Sequence, residues 1–122
     1  MSSSPTWVSW IIQCDIQPDR HDPLLALASE MTSDFQAAEA DTLNFEWFVN
    51  AERTQLHLHE RYANSDTAAG HIQTFGSRYA ERFLSLATIK SVTVYGYPTP
   101  ELKDTLAGMS PLILESFSGF TR

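Results

Sequence analysis

The chain has 122 residues, 43% of them hydrophobic and 19% charged, which fits one ordered domain and leaves no room for a second. Lys plus Arg number 8 against 15 Asp plus Glu, a net charge of -7. Such a surface repels phosphate backbones and anionic bilayers, so neither nucleic acid nor a membrane is expected as a partner. The single cysteine, Cys14, has no internal disulfide partner, and no apolar run approaches the roughly 20 residues of a membrane span. The start, Met1 to Pro5, lacks the basic region and following apolar stretch of a secretory leader. The expected location is the cytoplasm.

In chain order, Trp7–Ile16 is rich in Trp, Val and Ile and short enough for a strand. Pro18 ends it. Asp19 and Asp22 offer side-chain caps for a helix with Pro23 in its first turn. Leu24, Leu27, Ala28, Met31 and Phe35 then recur at helical spacing, predicting a helix to about Ala40. Leu43–Val49 is an alternating, aromatic strand, and Asn50–Arg53 is a break of hairpin length. Gln55–Tyr62 also alternates, with Leu56, Leu58, Glu60 and Tyr62 on one face and His57, His59 and Arg61 on the other.

Asn64-Ser65-Asp66 caps a second helix bearing Ala68, His71, Ile72, Phe75 and Tyr79 along one side, with Gly76 weakening its middle and Phe83 and Leu86 extending the apolar side. Ile89–Tyr95 is a β-branched strand. Thr99-Pro100-Glu101 starts a short helix that Gly108 ends, and Leu112–Phe117 is a last strand.

The order β-α-β-β-α-β, with an extra C-terminal helix and strand, is the α+β, ferredoxin-like split βαβ arrangement: an antiparallel sheet with both helices on one face. The opposite face, carrying Trp10, Ile12 and Cys14 or their alternates together with Phe48, His57 and His59, needs a cover. A second copy of the chain, sheet against sheet, supplies one. The C-terminal strand is free to add to the partner's sheet edge.

Glu60-Arg61-Tyr62, the polar turn Ala63 to Asp66, then Ala68, His71 and Phe75, resemble a signature of the antibiotic biosynthesis monooxygenase family, in which a strand ending Glu-x-aromatic runs into a helix bearing Ala-x-x-His. The tail Tyr95 to Leu102, with Ala107-Gly108 and Gly119-Phe120, looks like an extension carried by one branch of similar proteins. The resemblance implies a dimeric α/β barrel with a cavity between sheet and helices. It also implies oxygenase chemistry on electron-rich aromatic or quinol substrates without metal, flavin or haem. Haem-degrading relatives place a histidine about ten residues beyond the position of His71. Glu81 stands there in this chain, which speaks against haem.

Glu60 and His71 form the first candidate catalytic pair. A carboxylate on the helix-facing side of a strand is costly without a partner, and His71 faces the same space. Burial would raise the Glu60 pKa and a nearby imidazolium would lower it. The pair would place a general base beside a phenolic or quinol hydroxyl, and the deprotonated substrate could pass one electron to oxygen. The bland alternative has Glu60 capping a backbone group and His71 as a core histidine. Tyr62, Trp47, Phe75 and Tyr79 are candidate walls for a flat aromatic ligand, with core packing as their alternative.

His57 and His59 have the spacing of two metal ligands on one strand face, but spacing supplies no third, so no metal is expected. No Gly-rich phosphate loop, nucleophile elbow or P-loop is present, and no cofactor is expected. The leading reading is a cofactor-free monooxygenase on a small aromatic or quinol-type compound. The alternatives are a non-catalytic binding or stress-response module of the same fold and, behind it, a haem-binding protein, an isomerase or a lyase.

Overall fold

The computed structural model describes residues 4–122; Met1, Ser2 and Ser3, part of the segment read for a leader, lie outside the described residues. Strand β1 (Val8–Ile16) is followed by helix α1 (His21–Ala38), strands β2 (Thr42–Val49) and β3 (Gln55–Tyr62), and helices α2 (Ser65–Arg78) and α3 (Ala80–Leu86). Strand β4 (Ala87–Gly96), helix α4 (Pro100–Leu106), a 3-10 turn (Ala107–Met109) and strand β5 (Leu112–Glu115) complete the chain. The sheet order is β2-β3-β1-β4-β5, with β1 paired antiparallel to both β3 and β4. This is the ferredoxin-like split βαβ sheet with an added strand.

Local chemistry sets the boundaries. Asn64 Oδ1 accepts the Thr67 N–H at 2.8 Å and starts α2, and Thr99 Oγ1 accepts the Leu102 N–H at 3.2 Å and starts α4. Asn50 Oδ1 accepts the N–H groups of Thr54 and Gln55, both at 2.9 Å, closing the β2–β3 hairpin. Neither expected aspartate caps α1: Asp19 sits at φ 62°, Asp22 lies within the first turn, and the helix begins at His21 without a side-chain cap. The second helical run breaks at Tyr79, so Phe83 and Leu86 belong to a separate helix, α3.

The helix-facing side of the sheet carries Val8, Trp10, Cys14, Leu56, Leu58, Glu60, Tyr62, Val92 and Val94, all buried. Against it pack Leu24, Leu27, Met31 and Phe35 of α1, Ala68 and His71 of α2, Phe83 and Leu86 of α3, and Leu102 and Leu106 of α4. Burial, then the charges of Asp15 and Glu60, push the Cys14 thiol up to about 12, which leaves it an inert core thiol.

The structure decides between the two faces offered for β1 and shows where the last strand pairs within its own chain. Trp10 and Cys14 lie inside, and Ile12 packs against the core with them, so it is their alternates Ser9, Ile11 and Gln13 that share the outer face with Phe48, His57 and His59. The inward positions Val8, Trp10, Ile12, Cys14 and Ile16 are all apolar, whereas Ile11 is the one apolar residue among the outward Ser9, Ile11, Gln13 and Asp15. The short β5 stops at Glu115 and pairs parallel with β4 of its own chain, Val94 opposite Ile113, so it completes this chain's own sheet edge. Parallel pairing follows because α4 carries the chain back along the sheet before β5 begins.

Candidate active site

Alternation along β3 puts Glu60 and Tyr62 on the same face, and both point under the helices. Glu60 and His71 are each 4% exposed. His71 Nε2 lies 3.1 Å from Glu60 Oε1, an ion-pair distance. The Tyr62 hydroxyl donates to the same Oε1 in a short hydrogen bond. Among the described residues no hydrogen bond reaches the second oxygen, Oε2.

The other imidazole nitrogen engages a residue that sequence reasoning missed. His71 Nδ1 donates to Glu39 Oε1 at 2.9 Å, and Thr42 Oγ1 donates to that oxygen at 2.8 Å. Glu39 sits immediately beyond the C-terminus of α1, where the helix dipole disfavours an acid and the last turn holds no basic residue. An acid at that end was the available sign that something else holds it there.

The electrostatics follow from this line of groups. Burial alone pushes the His71 imidazole down, but the hydrogen bond and charge of Glu60, and then those of Glu39, outweigh it and hold the pKa above its ordinary value. Burial, followed by the charge and hydrogen bond of Glu60, keeps the Tyr62 phenol well above the usual range, so it remains a donor. His71 thus lies between two carboxyl side chains that favour its protonated form, one of them also held by a phenol.

Beside Glu60 lies an almost wholly apolar cavity of about 70 Å³. Trp10, Leu58, Phe75, Phe83 and Met109 are in its wall along with Glu60 and His71. An engineered cavity of roughly 150 Å³ is enough to take benzene, so a ring-sized ligand needs wall residues to move. Met109 is 39% exposed, sits on the 3-10 turn and has the flexible side chain to do so. His71 also lines an open groove between α1 and α2, with Glu39, Asp34 and Arg78. The Glu60–His71–Glu39 line therefore runs from the cavity to the surface.

The four candidate wall residues are dispersed. Phe75 lines the cavity. Tyr62 lies behind Glu60 and bonds to it. Trp47 packs on Phe45 and Phe83 and lines a separate hollow with His21 and Leu24. Tyr79 packs on Phe35 and donates to Asp34 Oδ2 at 2.5 Å. His57 and His59 lie on the outer face, His59 against the Phe48 ring at 4.7 Å, and among the described residues no cluster of three ligand-type side chains stands ready for a metal.

The raised His71 value has a stability consequence. Stabilisation from the imidazolium is complete below the unfolded value of 6.5 and is lost as pH rises through the higher folded value. His71→Gln should therefore cost about 3 kcal/mol at about pH 6, with the gap to wild type narrowing towards about pH 9. Thermal melts of both proteins across that range check it; a gap that widens with pH contradicts the charge assignment.

No family model and no curated protein matches this sequence. Solved structures do. MupZ from Pseudomonas fluorescens is similar over 96% of this chain and 95% of that one, with a TM-score of 0.82 and 21% identity. Rv0793 from Mycobacterium tuberculosis is similar over 73% of this chain and 92% of that one, with a TM-score of 0.60 and 26% identity. A candidate antibiotic biosynthesis monooxygenase from Bacteroides thetaiotaomicron is similar over 73% and 85%, with a TM-score of 0.62 and 20% identity. The chain has the ferredoxin-like fold of the antibiotic biosynthesis monooxygenase-like proteins.

Proposed function

We propose that this protein is a monooxygenase that needs no cofactor and acts on a small phenol- or quinol-type compound, with Glu60 as the general base. The observation that carries the reading is a buried carboxylate with one oxygen pinned by Tyr62 and facing His71, and the other left without a hydrogen bond beside an apolar cavity. Tyr62 and His71 orient that carboxylate. The unused oxygen takes the hydroxyl proton of the substrate. The phenolate then gives one electron to dioxygen, and the resulting superoxide and phenoxyl radical join at a ring CH carbon, which keeps its hydrogen. The peroxide takes up the proton held by Glu60, and loss of water, made of that carbon's hydrogen and the outer OH, leaves a carbonyl there, so one oxygen atom enters the product and the other leaves as water. The apolar wall excludes water and favours the neutral, flat substrate over charged competitors.

The test is oxygen consumption by chelator-treated protein over a panel of quinols and polyphenols. Wild type should consume oxygen with at least one of them, and Glu60→Gln should lose about a hundredfold or more of that rate. Equal rates in the two proteins, or no uptake by either, rule the mechanism out. The small resting cavity favours a second reading, a binding module of the same fold. Its signature is thermal stabilisation by an aromatic ligand with no oxygen consumed.

The outer sheet face supports self-association in the same reading. Ile11, His57 and His59 lie half-buried on it beside the exposed Phe48 ring, and β5 adds the exposed Leu112 and Leu114 near one edge. Two copies pairing through these faces would cover them and close the barrel. Native mass spectrometry should find a dimer for wild type and a monomer for Ile11→Asp. A variant that stays dimeric, or a monomeric wild type, removes this part of the reading.

A further inference from the structure

The cavity beside Glu60 has three polar side chains in its wall: Trp10, Glu60 and His71. Both His71 nitrogens are engaged, by Glu39 and by Glu60, and Glu60 Oε1 receives Tyr62. Two polar functions are left over. One is Glu60 Oε2, an acceptor. The other is the Trp10 indole Nε1–H, a donor that is buried with no hydrogen-bond partner in a residue only 2% exposed.

An indole nitrogen can only donate, and a buried donor without an acceptor is unfavourable, so natural sites keep one there when something else supplies the acceptor. Trp47 Nε1 is also unpartnered, but Trp47 shares its hollow with His21, whose Nδ1 lacks a partner too, so one water molecule could serve both. Trp10 has no such neighbour in its own cavity wall.

The strand register sets the spacing of the two free functions. Trp10 on β1 stands directly opposite Glu60 on β3, on the same sheet face. Side chains so paired leave their strands about 5 Å apart. Both also line one cavity of only about 70 Å³, so the atoms they meet on a single bound molecule are close neighbours.

The geometry points to Trp10 as a substrate-positioning residue whose Nε1–H donates to an acceptor oxygen lying next to the hydroxyl that Glu60 deprotonates. The preferred substrate class is then a phenol, quinol or other hydroxy compound bearing a carbonyl or ether oxygen adjacent to the reacting hydroxyl. This rests on the reading of Glu60 as base. It adds a selection rule to that reading: an apolar ring with a lone hydroxyl satisfies one end of the site only. The same donor favours the charged oxygen that forms as the proton leaves, if charge spreads onto the adjacent carbonyl.

The test uses the intact protein labelled with 15N in its tryptophan indoles. The signals of the 3 tryptophans are assigned with Trp7→Phe and Trp47→Phe, so Trp10 is identified without altering it. The probes are 2-hydroxyacetophenone and ethylbenzene, a hydrocarbon of nearly the same size with no acceptor. The Trp10 indole proton should move downfield with 2-hydroxyacetophenone and not with ethylbenzene. Trp10→Phe should weaken 2-hydroxyacetophenone roughly five- to tenfold and leave ethylbenzene unchanged.

The inference is overturned if 2-hydroxyacetophenone fails to bind, binds without moving that resonance, or binds Trp10→Phe as well as wild type. Should Trp10→Phe not fold, the wild-type spectra decide alone. Loss of oxygen uptake in Glu60→Gln together with an unmoved Trp10 signal would sink this inference and spare the proposed base. A shifted Trp10 signal with uptake unaffected by Glu60→Gln would do the reverse.

Discussion

A carboxylate held away from water is the constraint around which this molecule is arranged. Glu60 sits mid-sheet under the helices, and an ion there is expensive unless hydrogen bonds and an opposite charge surround it. Three elements supply them. Strand alternation brings Tyr62 from two residues along β3, and α2 lowers His71 onto the same oxygen. The end of α1 brings Glu39 to the far side of the imidazole. Removing any one member would leave a charge with too few partners, so the sheet and both helices are tied to a single local geometry.

The same arrangement divides labour between the two Glu60 oxygens. One is consumed by structure, and the other faces an apolar hollow with nothing from the protein attached. The imidazole also lines the groove between α1 and α2, giving the buried carboxylate a contiguous hydrogen-bonding route to solvent through Glu39. Under the proposed function such a site moves protons, and what else it accomplishes depends on the molecule admitted. Tight resting walls make that admission selective, with Met109 on its short turn as the most exposed side chain of the enclosure.

Much of this was legible from residue order because several signals were local. The alternation in β3 separates Glu60 and Tyr62 from His57 and His59 without knowledge of any other element. Asn64 and Thr99 mark their helix starts by their own side-chain chemistry. The less legible features depend on distant parts of the chain. In β1 the adjacent Ile11 and Ile12 blur an alternation that otherwise groups Trp10 with Val8 and Cys14, and pairing with β3 and β4 shows that this side turns inward. Aromatic residues look alike in a sequence whether they line a hollow or fill a core; Phe75, Trp47 and Tyr79 diverge only once α3 and α1 are packed. Glu39 is 32 residues from His71, and only its unfavourable position against the α1 dipole hinted at a partner.

The protonation of His71 is the most direct measure of this account. In a 15N-labelled sample near neutral pH, both ring nitrogens of His71 should carry protons and show the paired shifts of an imidazolium, persisting above the usual range of histidine titration. A neutral ring at that pH, with one protonated and one bare nitrogen, would mean that the two carboxylates do not hold a cation between them. The central arrangement described for Glu60 would then be wrong.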